Sequence, residues 1–348
     1  MPKNFLIISN PQAYRDRFGD VPIFYRHLAR DKRINLFHCN THRVINSTST
    51  SLVWATQINR DLPYDKFINL NNLSTNAYII KQFDLAFCRS LKPFASGYLD
   101  RLSRWEQQLL FVNSPSHKRE QITANFLLKV AQDWIPDTVV SNDYDLAFDF
   151  WLQHQTIIAK QTNSCGGRGV YKIWYKDNLF QVDNFNRGLR TFKHFAEVLD
   201  YLTEKNNAPL QFVRYLQQVN RGDKRIVVVD GEIYGAYIRR SKSGHWVNNV
   251  SGDGECMLAE ITDAEKEAIA NTVGAYQQRG LHTLGYDFLL DDGVWRISEI
   301  NAGNIGGFAR LEQLTQTPVM SRFVDWLINF SETNLELSSD IKSHTNFK

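Results

Sequence analysis

Two oxygen-bearing side chains, Glu299 and Asn301, stand two places apart at the end of the apolar run RISEIN, and the chain then breaks into AGNIGGF. Upstream, Asp287 lies in GYDFLL, twelve residues before Glu299, with Asp292-Gly293 between them. Read as a hairpin, this stretch pairs the two carboxylates, and period-two alternation puts Asn301 on the same face. Three hard oxygen ligands on one face suit magnesium, which accepts carboxylate and amide oxygens and keeps positions for water and phosphate. The same residues also fit an acidic hairpin whose carboxylates pair with nearby lysines, so the triplet alone leaves both readings open.

A second segment, IIAKQTNSCGGRGVYKI, supplies complementary chemistry. Lys160 ends a strand, where its ammonium can reach a phosphate. Gly166, Gly167 and Gly169 let backbone N–H groups approach phosphate oxygens. The segment lacks the Gly-Lys-Ser/Thr and following helix of a P-loop. It reads as a flap between two strands, or as an ordinary flexible hairpin. In the third segment, Arg225 opens one strand and Arg240 closes its partner, so both are expected to face an anionic group whose charge grows during reaction. Asn248 and Asn249 follow, before a glycine-bearing loop.

These residues need a scaffold, and the pattern provides one. NFLIIS and INLFHCN read as strands joined by a helical crossover, FDLAFCRS as a further strand, PFASGYLDRLSRWEQQL as a helix and LFVNSP as a short closing strand, which together predict a parallel sheet with helices on its faces. A helix is expected from Gln121 to Asp133, then strands in IPDTVVSND, TIIAKQ, LQFVRYL and RIVVV. The last is joined to EIYGAYI by the hairpin turn Asp230-Gly231. Thr262 with Glu265 marks a helix start and Gly280 its stop. The division predicted is an N-terminal α/β domain over 1–118, a flap-bearing unit over 119–208, a metal-bearing unit over 209–330, and a loose polar tail over 331–348.

Composition bounds the function. The chain has 348 residues, 43% hydrophobic and 22% charged, with a net charge of +3, which is a soluble globular composition without the basic stripe of a nucleic-acid surface. The apolar run Phe5–Ile8 is too short for a signal peptide or anchor, and no segment reaches membrane-spanning length. Four scattered cysteines lack metal spacing and fit reduced thiols, so a cytoplasmic location is expected. Cys165 reads as a small flap residue, and the scattered histidines, His117 and His282 among them, as structural or solvated. IISNPQAYRDRFG lacks the Gly-x-Gly-x-x-Gly of a dinucleotide oxidoreductase.

The ordered run GDKRIVVVDGEIYGAYIRR, NNVSGDGE and LGYDFLLDDGVWRISEIN resembles the ATP-grasp fold, and most resembles bacterial glutathione synthetase and the ribosomal-protein glutamate ligases. FDLAFCRS through FVNSP resembles the end of the preceding glutathione synthetase domain, and IPDT the entry to the ATP-grasp part. The resemblance implies two α+β subdomains holding ATP between them, behind an N-terminal parallel-sheet domain. It implies a carboxylate–amine ligase working through an acyl phosphate on an amino acid or small peptide. The alternatives are a ligase acting on a ribosomal peptide or protein, by glutamate addition or macrocyclisation, and an ATP-binding partner without turnover. By motif position, Asp287, Glu299 and Asn301 would hold two magnesium ions, with manganese as a substitute. Lys160 would contact the nucleotide phosphates, Arg225 and Arg240 the transferring phosphoryl group, and Phe212, Val213, Arg214 and Leu216 the adenine. Asn125 stands where the family has a second nucleotide lysine, with Lys118 and Lys129 as nearby substitutes. Lys160-Gln161 replaces the usual Lys-Pro, and AGNIGGFARLE departs from the glutathione synthetase continuation beside the acceptor. The family also implies a dimer or tetramer, small-molecule or peptide substrates, and neither nucleic acid nor membrane as partner.

Overall fold

In the computed structural model the described residues are 1–345 except 48, 163, 205–207, 243 and 249–253, with the backbone alone over 335–345. Asn249 and the following 250–253 therefore lie outside the described residues.

Three sheets make up the molecule. The first contains β1 (Lys3–Ser9), β2 (Ile34–Asn40), β3 (Leu52–Gln57), β4 (Asn76–Ile79), β5 (Leu85–Cys88) and β6 (Phe111–Val112), in the order β4-β3-β2-β1-β5-β6. Strands β1, β2, β5 and β6 are parallel, as their buried apolar runs predict. The sheet is nevertheless mixed, because β3 and β4 add an antiparallel ribbon. Both strands are short, LVWATQ and NAYI, with Leu52, Trp54 and Ile79 on the exposed side, and sequence reasoning passed over them.

The second sheet is antiparallel throughout and holds β7 (Thr138–Ser141), β8 (Thr156–Gln161), β9 (Val170–Lys176), β10 (Leu179–Asn184), β11 (Gly188–Phe192) and β12 (Leu210–Arg214). Helices Tyr144–His154 and Phe195–Thr203 cover one face, burying Trp151, Phe180, Phe195 and Phe212 together. The third sheet, β15-β14-β13-β16-β17, comprises β13 (Asp223–Val229), β14 (Glu232–Ser241), β15 (Gly254–Leu258), β16 (Thr283–Asp291) and β17 (Val294–Asn301). Helix Asp263–Gln277 begins with the expected capping box of Thr262 and Glu265. Both anticipated hairpin turns are present, with Asp230-Gly231 and Asp292-Gly293 at positive φ, the backbone that a two-residue type I′ connection requires.

Two expectations need correction. The helix expected from Gln121 to Asp133 is shorter, Ala124–Ala131, and Gln121 instead ends a separate preceding helix, Pro115–Gln121. The stretch from Ser331 is not loose backbone, because helix Val319–Thr345 runs through it. Phe323, Leu327 and Ile328 pin that helix into a core shared with Phe24 and Phe87 of the first sheet's layer and Val227 of the third sheet. Among the described residues no helix is long and apolar enough to cross a membrane.

The join between the first and third sheets rests on Asn113, fully buried and at φ 59°. Its Nδ2 donates to Thr283 O and Oγ1, both at 2.8 Å, and to Ala302 O at 2.7 Å. Its Oδ1 accepts from His282 N at 2.8 Å and Thr283 N at 2.9 Å. We predict that Asn113→Ala lowers unfolding stability by on the order of 3 kcal/mol, from hydrogen bonds worth about 1 kcal/mol each and a left-handed backbone that costs a non-glycine residue about 1 kcal/mol. Urea denaturation reads this directly; a loss below about 1 kcal/mol contradicts it.

Candidate active site

The third sheet gathers the charged residues, and two β-bulges decide which ones. From its turn, β13 pairs regularly with β14 as Val229↔Glu232 and Val228↔Ile233. Continued without a break, that register would set Arg225 opposite Ala236 and bring Arg240 to its face. Instead Tyr234 is an extra residue, the pairing shifts to Val227↔Gly235, and Arg225 faces Tyr237 while Asp223 faces Arg239. Arg239 is thereby turned into the site and Arg240 out of it. Among the described residues the exposed Arg240 side chain donates to Arg221 O alone, at 3.2 Å. The second hairpin behaves alike. Its register begins at Asp291↔Val294, Ser298 is the extra residue, and Asp287 comes to face Glu299, with Asn301 opposite Gly285. The predicted face of Asp287, Glu299 and Asn301 is therefore present, and it exists because of the bulge at Ser298.

Asp287 is buried at the middle of this face. Arg225 grips it with two parallel N–H donors, Nε to Oδ1 at 2.5 Å and Nη2 to Oδ2 at 2.8 Å. Arg239 Nη2 bridges Asp287 Oδ1 at 2.8 Å and Asp223 Oδ2 at 2.7 Å. Asn301 Nδ2 donates to Asp287 Oδ2 at 3.1 Å. Burial by itself would raise the Asp287 pKa, but the two arginines outweigh it and hold the carboxyl below its usual range. Asp223, which shares Arg239, is pushed up to about 6 by burial, and its Oδ1 is buried with no hydrogen-bond partner among the described residues. Room for the Arg225 guanidinium comes from Gly285, where a Cβ would lie 2.9 Å from Nη1.

Lys160 reaches this face from the second sheet. Its ammonium donates to Ser298 O at 3.1 Å and Ser298 Oγ at 3.2 Å, so the bulge residue also positions the lysine. Burial depresses the Lys160 pKa, against the opposing fields of Glu299, Asp223 and Asp287. Glu299 is half-buried, and no hydrogen bond to its carboxylate is found among the described residues.

A cavity of about 650 Å³ opens between the flap, Lys160, Arg225, Arg239, Glu299 and the first sheet's Lys92. Gly166, Gly167 and Gly169 line it; Gly166 and Gly167 have φ of 63° and 74°, which a side chain would resist. Asn184 holds the base of the flap through Arg168 O at 3.1 Å and Val170 O at 2.8 Å. Across Lys160 and Glu299 lies a narrower slot of about 110 Å³ with apolar walls that include Ile158, Val213, Leu216, Val247 and Leu289. It is a planar-ring-sized gap between the second and third sheets. Val213, Arg214 and Leu216 line it, and Arg214 is tied to Asp291 at 2.7 Å. Phe212 does not, because alternation along β12 turns it into the helix-covered core of the second sheet. Asn125 is exposed and lines neither cavity; its neighbours Ala124 and Leu127 do. Lys129 is likewise exposed, and Lys118 is buried outside both linings.

Sequence reasoning missed Arg239, Asp223, Ser298 and Trp246. Trp246 lines the slot and donates from Nε1 to Asp183 at 2.6 Å, linking the third sheet to the second. Arg239 was within reach of a sequence argument: Gly235 inside a strand is a bulge signal, and one bulge exchanges neighbouring arginines. Asn248 is buried beside the slot, with Nδ2 donating to Val219 O at 2.6 Å.

Among the described residues no three His, Cys, Asp or Glu side chains form a ready-made metal cage. Glu299 and Asn301 nevertheless fit a hard divalent ion, whereas the four acceptor positions of Asp287 are taken by Arg225, Arg239 and Asn301, so Asp287 would join the ion only by exchanging one of these donors. Glu299 has free lone pairs, and Asn301, donating through Nδ2, keeps its amide oxygen available.

A family model described as prokaryotic glutathione synthetase, ATP-grasp domain, matches residues 125–316, more than half of the chain. The glutathione synthetase of Bradyrhizobium diazoefficiens is 26% identical over 269 residues, 76% of this chain and 78% of that protein. Among solved structures, D-cycloserine synthetase DcsG superposes with a TM-score of 0.61 at 14% identity, covering 94% of this chain and 99% of that one. The ATP-grasp ligase PsnB complexed with minimal precursor gives 0.57 at 18% identity, covering 94% and 99%. These two likenesses are of fold.

The geometry predicts opposite outcomes for two adjacent arginines. Arg239→Ala leaves Asp223 and Asp287 short of a buried partner and is expected to cost about 3–5 kcal/mol of stability. Arg240→Ala is expected to stay within about 0.5 kcal/mol of the parent, as a surface change does. Parallel thermal unfolding of the two variants checks this, and equal losses would contradict the bulged register.

Proposed function

The chain belongs to the prokaryotic glutathione synthetase family of ATP-grasp proteins and is an ATP-dependent C–N ligase, and on that premise we propose that it joins a carboxylate to an amine through an acyl phosphate, on an amino acid or small peptide. The observation that carries this reading is the convergence of Lys160, Arg225 and Arg239 on the Asp287–Glu299–Asn301 face, where a 650 Å³ cavity meets a narrow apolar slot.

In this reading the adenine lies in the slot against Val213 and Leu216, and the phosphates extend toward Lys160 beneath the flap. Asp287, Glu299 and Asn301 are the residues that would hold magnesium, which when bound neutralises the terminal phosphates. A substrate carboxylate oxygen attacks the γ-phosphorus, the bond to the bridging oxygen breaks, and ADP leaves. The amine nitrogen then attacks the acyl carbon, the carbon–oxygen bond to phosphate breaks, and the amine's proton leaves with the departing phosphate. No protein nucleophile is needed. Positioning and charge neutralisation supply the rate, and Arg225 and Arg239 are set to stabilise the oxygens on which charge collects. The ion pairs with Asp287 keep both guanidinium groups oriented before substrate arrives.

ADP release with ATP and magnesium, across pools of amino acids and γ-glutamyl peptides, tests the reading. Turnover is expected to require one acid and one amine, and Glu299→Gln to lower kcat on the order of 100-fold or more, the scale on which loss of one electrostatic stabiliser acts. Acid-independent ADP release at the same rate in the variant would overturn it.

A further inference from the structure

Outside the candidate active site, the first sheet's layer carries a pocket whose cations outnumber its acids. Helix Tyr98–Glu106 and helix Pro115–Gln121 pack side by side, and with Ile45 of helix Thr41–Asn46 they wall a pocket of about 400 Å³. Arg101 and Arg104, three residues apart and so on one face of their helix, line it together with Arg119, Asp100 and Gly97. Arg119 is ion-paired with Asp100. Arg101 is partly buried, and its Nη1 is sealed from water with no hydrogen-bond partner among the described residues. Arg104 is exposed and makes no ion pair among the described residues.

The neighbouring carboxylates on these two helices are engaged elsewhere. Glu106 accepts from Ser116 N and Oγ at the start of the next helix. Glu120 is paired with Arg279 at 2.9 Å. The pocket therefore sets three guanidinium groups against one carboxylate. A guanidinium fork matches a carboxylate in shape as well as in charge, so two unpaired forks one helical turn apart make a place for an incoming carboxylate.

The pocket is also joined to the candidate active site. A second depression of about 280 Å³ shares Gly97, Asp100 and Arg119 with it and continues over Phe94 and Leu99 to Ile122. Ile122 in turn lines the 650 Å³ cavity, as do Leu91 and Lys92, just ahead of Phe94 in the chain. Gln121, the neighbour of Ile122, donates from Nε2 to Ile300 O at 2.7 Å, so this end of the groove lies beside the strand that carries Glu299 and Asn301. Phe94 and Leu99 are half-buried, and they offer apolar contact to a chain laid across them. Gly97, at φ 77°, turns the backbone into helix Tyr98–Glu106 and leaves the junction of the two depressions without a side chain. As compact volumes the depressions are each about 7 Å across, so about four residues of extended chain, at about 3.3 Å each, run from Ile122 to the arginines.

We propose that the pocket of Arg101, Arg104 and Arg119 docks a carboxylate of a peptide substrate whose chain crosses Leu99, Phe94 and Ile122 into the 650 Å³ cavity. Of the two substrate classes in the ligase reading this selects the peptide, and an acidic one. One carboxylate is held at the arginines, and a group about four residues along the chain is presented to the Asp287–Glu299 face. The inference rests on the ligase reading for what becomes of the group in the cavity, whereas docking is measured without turnover.

The test is calorimetric titration of the protein loaded with magnesium and AMP-PNP. The probes are a hexapeptide, blocked at both termini, with a glutamate at each end of four alanines, the same peptide with glutamine at both ends, and blocked diglutamate. At physiological salt the glutamate hexapeptide is expected to bind saturably and about 10-fold more tightly than the glutamine one, the scale of one charge-assisted pair. Blocked diglutamate, too short to span the groove, is expected to bind no better than the glutamine hexapeptide. The preference for glutamate should fall several-fold in Arg104→Gln and vanish in the double variant Arg101→Gln with Arg104→Gln. Unchanged AMP-PNP affinity in each variant reports an intact fold. Equal affinity for the two hexapeptides, no binding of either, or a preference untouched in the double variant with its fold intact overturns the docking site. Diglutamate binding as tightly as the glutamate hexapeptide overturns the route into the cavity. Oligothymidylate binding more tightly than the hexapeptide, and lost in the same variants, overturns the peptide assignment in favour of a nucleic acid. A failure of the ligase reading shows differently, as absent ADP release with the glutamate preference and its loss in the double variant both intact.

Discussion

The buried Asp287 carboxylate between Arg225 and Arg239 is the contact on which the candidate site depends. Removing any one of the three leaves unpaired charge where water cannot reach it, so the trio is fixed as a unit. Its geometry is not set by the ions themselves. It follows from two extra residues, Tyr234 and Ser298, one in each hairpin flanking the β13–β16 pair. Each bulge moves every later side chain of its strand to the opposite face. The first exchanges Arg240 for Arg239, and the second brings Glu299 and Asn301 beside Asp287. Ser298 then acts twice, since its carbonyl and hydroxyl receive Lys160 from the neighbouring sheet.

The rest of the fold places three separate walls around this face. The second sheet brings Lys160 and the flap, and Trp246 fastens the third sheet back to it through Asp183. The first sheet approaches through Asn113, whose five hydrogen bonds hold its last strand against β16, and through a core that it shares with the C-terminal helix. Gln121 adds a bond from Nε2 to Ile300 O at 2.7 Å, next to the metal-ligand candidates. The cavity has walls from the layers of all three sheets, the placement that the proposed meeting of nucleotide, acid and amine requires. Phosphoryl transfer of this kind asks a protein for little more than that placement.

Much of this was legible in the sequence because it lies in strong local signals. The Asp-Gly pairs fixed both hairpins and the Thr262–Glu265 box fixed a helix start; Asp287, Glu299 and Asn301 were expected on one face, but strict alternation from the Asp292-Gly293 turn would set Asp287 opposite Ser298, and the bulge at Ser298 supplies the pairing with Glu299. What was illegible needed register. No periodicity announces that Tyr234 is an extra residue, so alternation carried the wrong arginine into the site. Phe212 and Val213 have equal claims on the slot until a helix-covered core claims Phe212. Asn113 reads as a turn residue, and only its contacts across 170 positions reveal a buried tether. The antiparallel ribbon β3–β4 carries strand-favouring residues in LVWATQ, but its pairing across 18 or more intervening residues, Leu52 with Ile79 and Ala55 with Asn76, has no local turn signal to announce it.

The central claim is that the face of Asp287, Glu299 and Asn301 holds the divalent ion that joins the nucleotide phosphates to this chain. Electron paramagnetic resonance of manganese bound with ADP carrying oxygen-17 in its β-phosphate measures this directly. The account predicts line broadening from a phosphate oxygen bound to the ion in the parent protein and in Arg240→Ala, and its loss in Glu299→Gln at the same ADP occupancy. Identical broadening in Glu299→Gln and in Asp287→Asn would place the ion elsewhere and contradict the account.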